Sequence, residues 1–196
     1  MSTDNKKTLR DVSSPLKLGL ILLLIAGLIG LILGGAYSLT KDRIALAKEA
    51  ANKAAYAKVL PAEADVSALE EVAVPEEYAA NVLAAYKAGN SGYCLQVSGK
   101  GYGGTVIVAV GLDASGAVTG VEIVDHSETP GLGANATNDS FRGQFTGATG
   151  QLTVVKGDAK AGEIAALSGA TITSRCVTGC VNAALAYYAD VLKGGN

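Results

Sequence analysis

Residues Leu18 to Tyr37 read LGLILLLIAGLIGLILGGAY, an unbroken apolar run with no charged side chain. As a helix rising about 1.5 Å per residue, it is long enough to cross a hydrocarbon core about 30 Å thick. A helix with no polar face belongs in lipid or deep inside a large protein. A chain of 196 residues has room for one ordinary domain and an appendage, so the run is read as a membrane span. Composition agrees: 49% of residues are hydrophobic but only 5% aromatic, with no Trp, so the aliphatic excess is concentrated here.

Lys6, Lys7 and Arg10 form a basic leader ahead of the run, and Gly34, Gly35 and Ala36 are small enough to suit a cleavage site. The apolar stretch is too long for a typical signal-peptide core, which favours an uncleaved anchor. Basic residues flank both ends, Lys17 before and Lys41 and Arg43 after, so their count alone does not orient the span. A long C-terminal domain translocates largely regardless of charge, whereas a short basic tail stays inside. The expectation is a single-pass protein of the cell (inner) membrane, N-terminus cytoplasmic and C-terminal domain extracytoplasmic.

Beyond the span the pattern changes twice. Lys41 to Leu60 is Ala-rich, full of good helix formers and stopped by Pro61, which reads as a helical stalk. Residues 61–80, rich in Ala, Glu and Pro, read as a connector. Val82 to Lys87 and Tyr93 to Gly99, joined by AGNSG, read as a hairpin. Thr105 to Asp113 and Val118 to His126, joined by ASGA, make a second with β-branched alternation. Gln151 to Val155 is a further short strand, and Thr173 to Lys193 is a helix with Val177, Val181, Ala184, Leu185, Tyr188 and Leu192 at helical spacing. The partition is a tail at 1–17, a span at 18–37, stalk and connector at 38–80, and a domain at 81–196. Strands followed by one closing helix predict an α+β fold of mostly antiparallel sheet.

Several chemistries are excluded. The lone histidine, His126, has Asp125 and Ser127 as strand neighbours pointing to the opposite face, and no G-x-S-x-G elbow supplies a nucleophile. Cys94, Cys176 and Cys180 lack C-x-x-C spacing and read as buried small residues, so no metal site is expected. GKGYGG, Gly99 to Gly104, is out of register for a dinucleotide loop. The part after the span carries 12 basic and 16 acidic residues, which gives no basic stripe for nucleic acid.

Two stretches remain. DHSETPGLG, Asp125 to Gly133, leaves a strand and enters a tight turn that presents Glu128 and Thr129. LSGATITS, Leu167 to Ser174, packs four hydroxyls ahead of the last helix, where Thr171 or Thr173 can cap the first backbone N–H groups.

Taken together, SGATITS, HSETPGLG and GKGYGG, in this arrangement and behind one membrane span, resemble a family of FMN-binding membrane subunits. These are the G subunit of Rnf-type ferredoxin:NAD oxidoreductase and the related C subunit of sodium-translocating NADH:quinone oxidoreductase, the compact domain here being more similar to the former. The resemblance implies an FMN-binding domain at 81–196 and a covalent FMN, held by a phosphoester to the last residue of S-G-A-T, here Thr171. Ser168, Gly169, Ala170, Thr173 and Ser174 would line the approach, and a phosphate at a helix N-terminus meets unpaired N–H groups and the positive end of the helix dipole. It also implies that Glu128, Thr129, Gly131 and Leu132 lie against the isoalloxazine, with His126 as a neighbour that a structural role explains equally well. One departure stands out: the family's attachment sequence begins with Asp six residues before the acceptor, where this chain has Ala165, while Glu163 is out of register.

The function so implied is an electron-transfer subunit that carries no catalytic residue of its own. Its implied partners are the other membrane subunits of an ion-translocating complex, including a second flavin-carrying one, and a flavin transferase for maturation. A different class stays beside it: a membrane-anchored extracytoplasmic module that binds flavin or another ligand as a sensor.

Overall fold

The computed structural model describes residues 15–194, so Lys6, Lys7 and Arg10 of the basic leader lie outside the described residues. Contacts divide the chain between Glu49 and Ala50 into two units. The first is made by the greater part of one helix, α1 (Pro15–Val59). Its most apolar window has a mean hydropathy of 2.7, and none of that window is buried. Leu22, Leu23 and Leu24 all point outward, so this is no core helix; lipid is the solvent such a surface requires.

In the second unit five strands form one antiparallel sheet in chain order: β1 (Glu70–Val72), β2 (Val82–Ala88), β3 (Gly92–Lys100), β4 (Thr105–Asp113) and β5 (Val118–Asp125). A short helix, α2 (Asp139–Arg142), follows, then the parallel pair β6 (Thr153–Val155) and β7 (Glu163–Ala165), then α3 (Thr171–Tyr187), which runs on into a π turn at Tyr188–Leu192. The chain forms the mostly antiparallel sheet with a closing C-terminal helix expected of its pattern.

Both faces of the sheet are covered, which explains why its strands are so apolar. Val106, Val108, Val110 and Leu112 of β4 share a core with Leu95 and Val97 of β3 and with Val177, Val181 and Ala184 of α3. The alternate positions Cys94 and Ala109 meet Ala55, Tyr56 and Val59 at the end of α1. Small residues permit this second contact. A methyl on Gly111 would fall on the Val59 carbonyl, and one on Gly120 would sit 3.0 Å from its Cα. Thr119 Oγ1 donates to that carbonyl at 2.5 Å, a partner for one of the C-terminal acceptors that Pro61 leaves stranded. Lys58 adds an ion pair to Glu122 at 2.9 Å, and Glu122 is shared with Arg142.

Four details differ from the pattern-based expectation. The connector contains β1, whose three residues pair with β2 through Glu70↔Lys87 and Val72↔Ala85. The strand near residue 153 has a parallel partner, β7, in a segment with no strand signature of its own. The last helix starts at Thr171, two residues early. Its cap is neither Thr171 nor Thr173 but Ala170, and no side chain caps the first turn.

Candidate functional site

The β3–β4 turn and the segment after β5 leave the sheet at the same end, because Lys100 pairs with Thr105 and Ile107 with Asp125. The N-terminal half of α3 is packed so close to β3 there that a Cβ on Gly99 would lie 2.8 Å from both Cys176 Sγ and Cys180 Sγ. Three segments therefore meet: the glycine turn 101–104, the loop 126–133, and the loop 166–170 that feeds α3.

Glu128 ties them together. It is 7% exposed, accepts from the Gly103 N–H at 2.9 Å and from the Thr173 hydroxyl at 2.5 Å. Methyl groups on Gly101 or Gly133 would collide with its carboxylate oxygens, so both positions need glycine for the close approach. Burial pushes the pKa of this carboxyl up, but the bonds from Thr173 and Gly103, with the Tyr102 N–H and His126 nearby, outweigh it and hold the value below the ordinary glutamate range. Glu128 is thus an ionised, fully engaged anchor of the cleft.

The hydroxyls of the octapeptide are not equivalent. Ser174 is fully buried; its Oγ donates to the Ala170 carbonyl and accepts from the Leu167 N–H, both at 3.0 Å, which folds the loop back on the helix. Thr173, 1% exposed, is spent on Glu128. Ser168 is exposed in the loop, and Gly169 turns the chain at φ +72°, where an L side chain is strained. Thr171 is half-buried at the first helical position, and its hydroxyl has no hydrogen-bond partner among the described residues.

A cleft of about 720 Å³ opens over this junction, within the range of small-molecule sites. Of the residues singled out from the sequence, Glu128, Thr129, Leu132, Ser168, Gly169, Ala170, Thr171 and Thr173 line it. Ser174, Gly131 and His126 do not: Ser174 lies behind the loop, Gly131 makes the turn at φ +77°, and His126 Nδ1 accepts from the Glu128 N–H at 3.2 Å. Sequence reasoning missed Tyr102, Lys156, Gly157, Ala166, Leu167, Gly133 and Ile172 as lining. Tyr102 was visible inside GKGYGG, but Lys156 reaches the site only through the parallel pairing of β6 with β7, which carries no local signal.

The cleft has an uncapped helix N-terminus at one wall, an exposed lysine, and apolar side chains at its rim, so it suits a ligand with an anionic end and a flat apolar body. Among the described residues no group of three or more His, Cys, Asp or Glu is placed to hold a metal ion.

Comparison with known proteins agrees with this geometry. The FMN-binding domain family matches residues 101–186, which begin at the glycine turn, include both loops and end within α3. The G subunit of the Na(+)-translocating ferredoxin:NAD(+) oxidoreductase complex of Acetobacterium woodii is 36% identical over 90% of this chain and 93% of its own length. The chain belongs to the G-subunit family of Rnf-type membrane oxidoreductase complexes. The G subunit of the proton-translocating ferredoxin:NAD(+) oxidoreductase complex of Clostridium ljungdahlii, another member of this family, is 49% identical over 44% of this chain and 47% of its own. The crystal structure of the C subunit of the Na(+)-translocating NADH-quinone reductase of Parabacteroides distasonis aligns over 59% of this chain and 63% of that one, with 28% identity and a TM-score of 0.49.

As a G-subunit family member the chain is an FMN-binding, electron-transfer subunit of a larger membrane assembly. The cleft fits that cofactor: free N–H groups at the start of α3 for a phosphate, and Tyr102, Leu132 and Ile172 at the rim for a tricyclic ring.

Proposed function

We propose that Thr171 carries FMN through a phosphoester bond and that the chain relays electrons within an ion-translocating complex linking ferredoxin and NAD+ redox chemistry. The hydroxyl inventory supports this reading. Thr173 and Ser174 are buried and committed to Glu128 and Ala170, whereas Thr171 faces the cleft with its oxygen free of partners among the described residues. The phosphoester at that oxygen would sit over the first turn of α3, where no side chain competes for the N–H groups and the dipole favours negative charge. Bound FMN supplies the electron-accepting and electron-donating chemistry; the protein places it and sets its surroundings. Glu128 holds the three walls together, Gly169 lets the loop turn away from the phosphate position, and Thr129 offers a hydroxyl within the cleft.

The same proposal sets the span at 18–37 between a cytoplasmic tail at 1–17 and an extracytoplasmic portion, with stalk and connector at 38–80 and the FMN-binding domain at 81–196. The other membrane subunits of the complex, a second flavin carrier among them, exchange electrons with it, and a flavin transferase loads it.

The experiment is intact mass of the full chain produced with a flavin transferase. Parent and Thr173→Val should carry one FMN, and Thr171→Val none. FMN retained on Thr171→Val, or absent only from Thr173→Val, moves the attachment to another residue.

A further inference from the structure

Among the described residues C-terminal to α1, four large apolar or aromatic side chains are left exposed: Leu83, Tyr102, Leu132 and Ile172. The last three all line the cleft, each contributed by a different one of its walls. Tyr102 is the extreme case at 74% exposure, and among the described residues its side chain has no hydrogen bond and no ring partner.

Its backbone, by contrast, is held tightly. The Gly101 N–H donates to the Gly104 carbonyl at 2.8 Å, closing the turn. The adjacent Gly103 N–H donates to the buried carboxylate of Glu128, and there is no room for a side chain at Gly101 or Gly103. An aromatic ring on so constrained a tip loses little freedom when a ligand covers it, and its face prefers an offset-stacked π system. Leu132 and Ile172, 45% and 52% exposed, supply apolar walls beside it.

We infer that Tyr102 is a cofactor-contact residue: its ring covers the isoalloxazine of FMN in this cleft, with Leu132 and Ile172 closing the sides. The inference rests on the FMN reading above and adds a ring-face partner from the glycine turn. A tyrosine in van der Waals contact quenches flavin emission, because the phenol gives an electron to the photoexcited ring and recovers it in the dark with no net change. Phenylalanine keeps the stacking but is too poor a donor to quench, and leucine provides neither.

The test uses the full chain produced with the transferase, as parent, Tyr102→Phe and Tyr102→Leu. All three should show the same FMN-bearing mass. Flavin emission per bound FMN should rise several-fold in both variants, and in Tyr102→Leu the visible absorption bands should also move towards their positions in water. Emission and bands unchanged in both variants, with FMN still attached, overturn the inference. If the parent itself carries no FMN, the Thr171 assignment fails instead. The role of Tyr102 is then decided by titrating the same proteins with free FMN: several-fold weaker binding to Tyr102→Leu supports it, and equal or no binding overturns it.

Discussion

Glu128→Gln tests whether the cleft is held by a charge. The amide matches the carboxylate in size, so packing against Gly101 and Gly133 is kept while the charge and one acceptor are lost. In the native protein two donors converge on this group, from Thr173 and Gly103. Hydrogen bonds to a charged partner are worth about 1.5–3 kcal/mol against about 1 for neutral ones, so converting two of them should cost about 1–4 kcal/mol. For a domain of this size that lowers Tm by about 2–16 °C, since 1 kcal/mol corresponds to about 2–4 °C. The sign of the pH dependence follows from the depressed native pKa. A carboxyl whose folded value lies below its unfolded one contributes fully above the unfolded value, 4.5, and loses that contribution as pH falls through the folded one. The gap between parent and variant should therefore be full at pH 7 and close in acid. Thermal unfolding of the full chain in detergent, followed by tyrosine circular dichroism from pH 7 to pH 3, measures it. Adding Thr173→Val to both backgrounds should reveal a coupling of about 1 kcal/mol or more. Equal Tm values at neutral pH, or a gap that stays constant into acid, would refute the account of Glu128 as an ionised anchor.

Other consequences can be checked independently. Ala161→Cys, at an exposed position and combined with Cys176→Ala to remove the half-buried thiol, should react with a membrane-impermeant thiol reagent in intact cells, since the remaining Cys94 and Cys180 are buried; reaction only after lysis reverses the proposed orientation. Thr129→Val removes a cleft hydroxyl but none of the backbone bonds that its carbonyl accepts from Leu132 and Ala134, so the flavin spectrum or potential should change while the FMN-bearing mass does not. Loss of all flavin from a folded Thr129→Val protein would contradict it. Ala165→Asp restores the acidic residue at the end of β7, where the backbone already exchanges bonds with the Gln144 side chain; a time course of intact mass should show faster flavinylation at the same threonine. An unchanged rate would show that the transferase does not need that acid in this chain.

The strands β2 to β5 were legible because each alternates or is continuously apolar and β-branched, and the turns between them contain Asn, Gly and Ser. The strands β1 and β7 were not, because Glu70-Glu71-Val72 and Glu163-Ile164-Ala165 are strands only by virtue of their partners. At the site, the octapeptide Leu167 to Ser174 and the Glu-Thr-Pro-Gly turn stood out in the sequence, and residues of both line the cleft. How the work is divided among them was not legible. The direction of the Glu128 side chain depends on space left by two glycines far apart in the chain, and the rank of the hydroxyls depends on which of them burial has already claimed. Periodicity reports which face a residue occupies and is silent about its partner across the fold.

The seat of Val59 on Gly111 and Gly120 bears on how this domain can be handled apart from its membrane helix. A soluble fragment cut at residue 81 would lose β1 and strip the helix end from the sheet, leaving Thr119 without its acceptor and Cys94 and Ala109 uncovered. Tyr56, Val59 and Leu60 together withdraw apolar surface worth several kcal/mol at about 1.5–3 kcal/mol for each large side chain. A fragment that begins near Ala50, where the second unit starts, keeps that layer, and its helical overhang becomes a built-in lid over a surface that would otherwise promote aggregation.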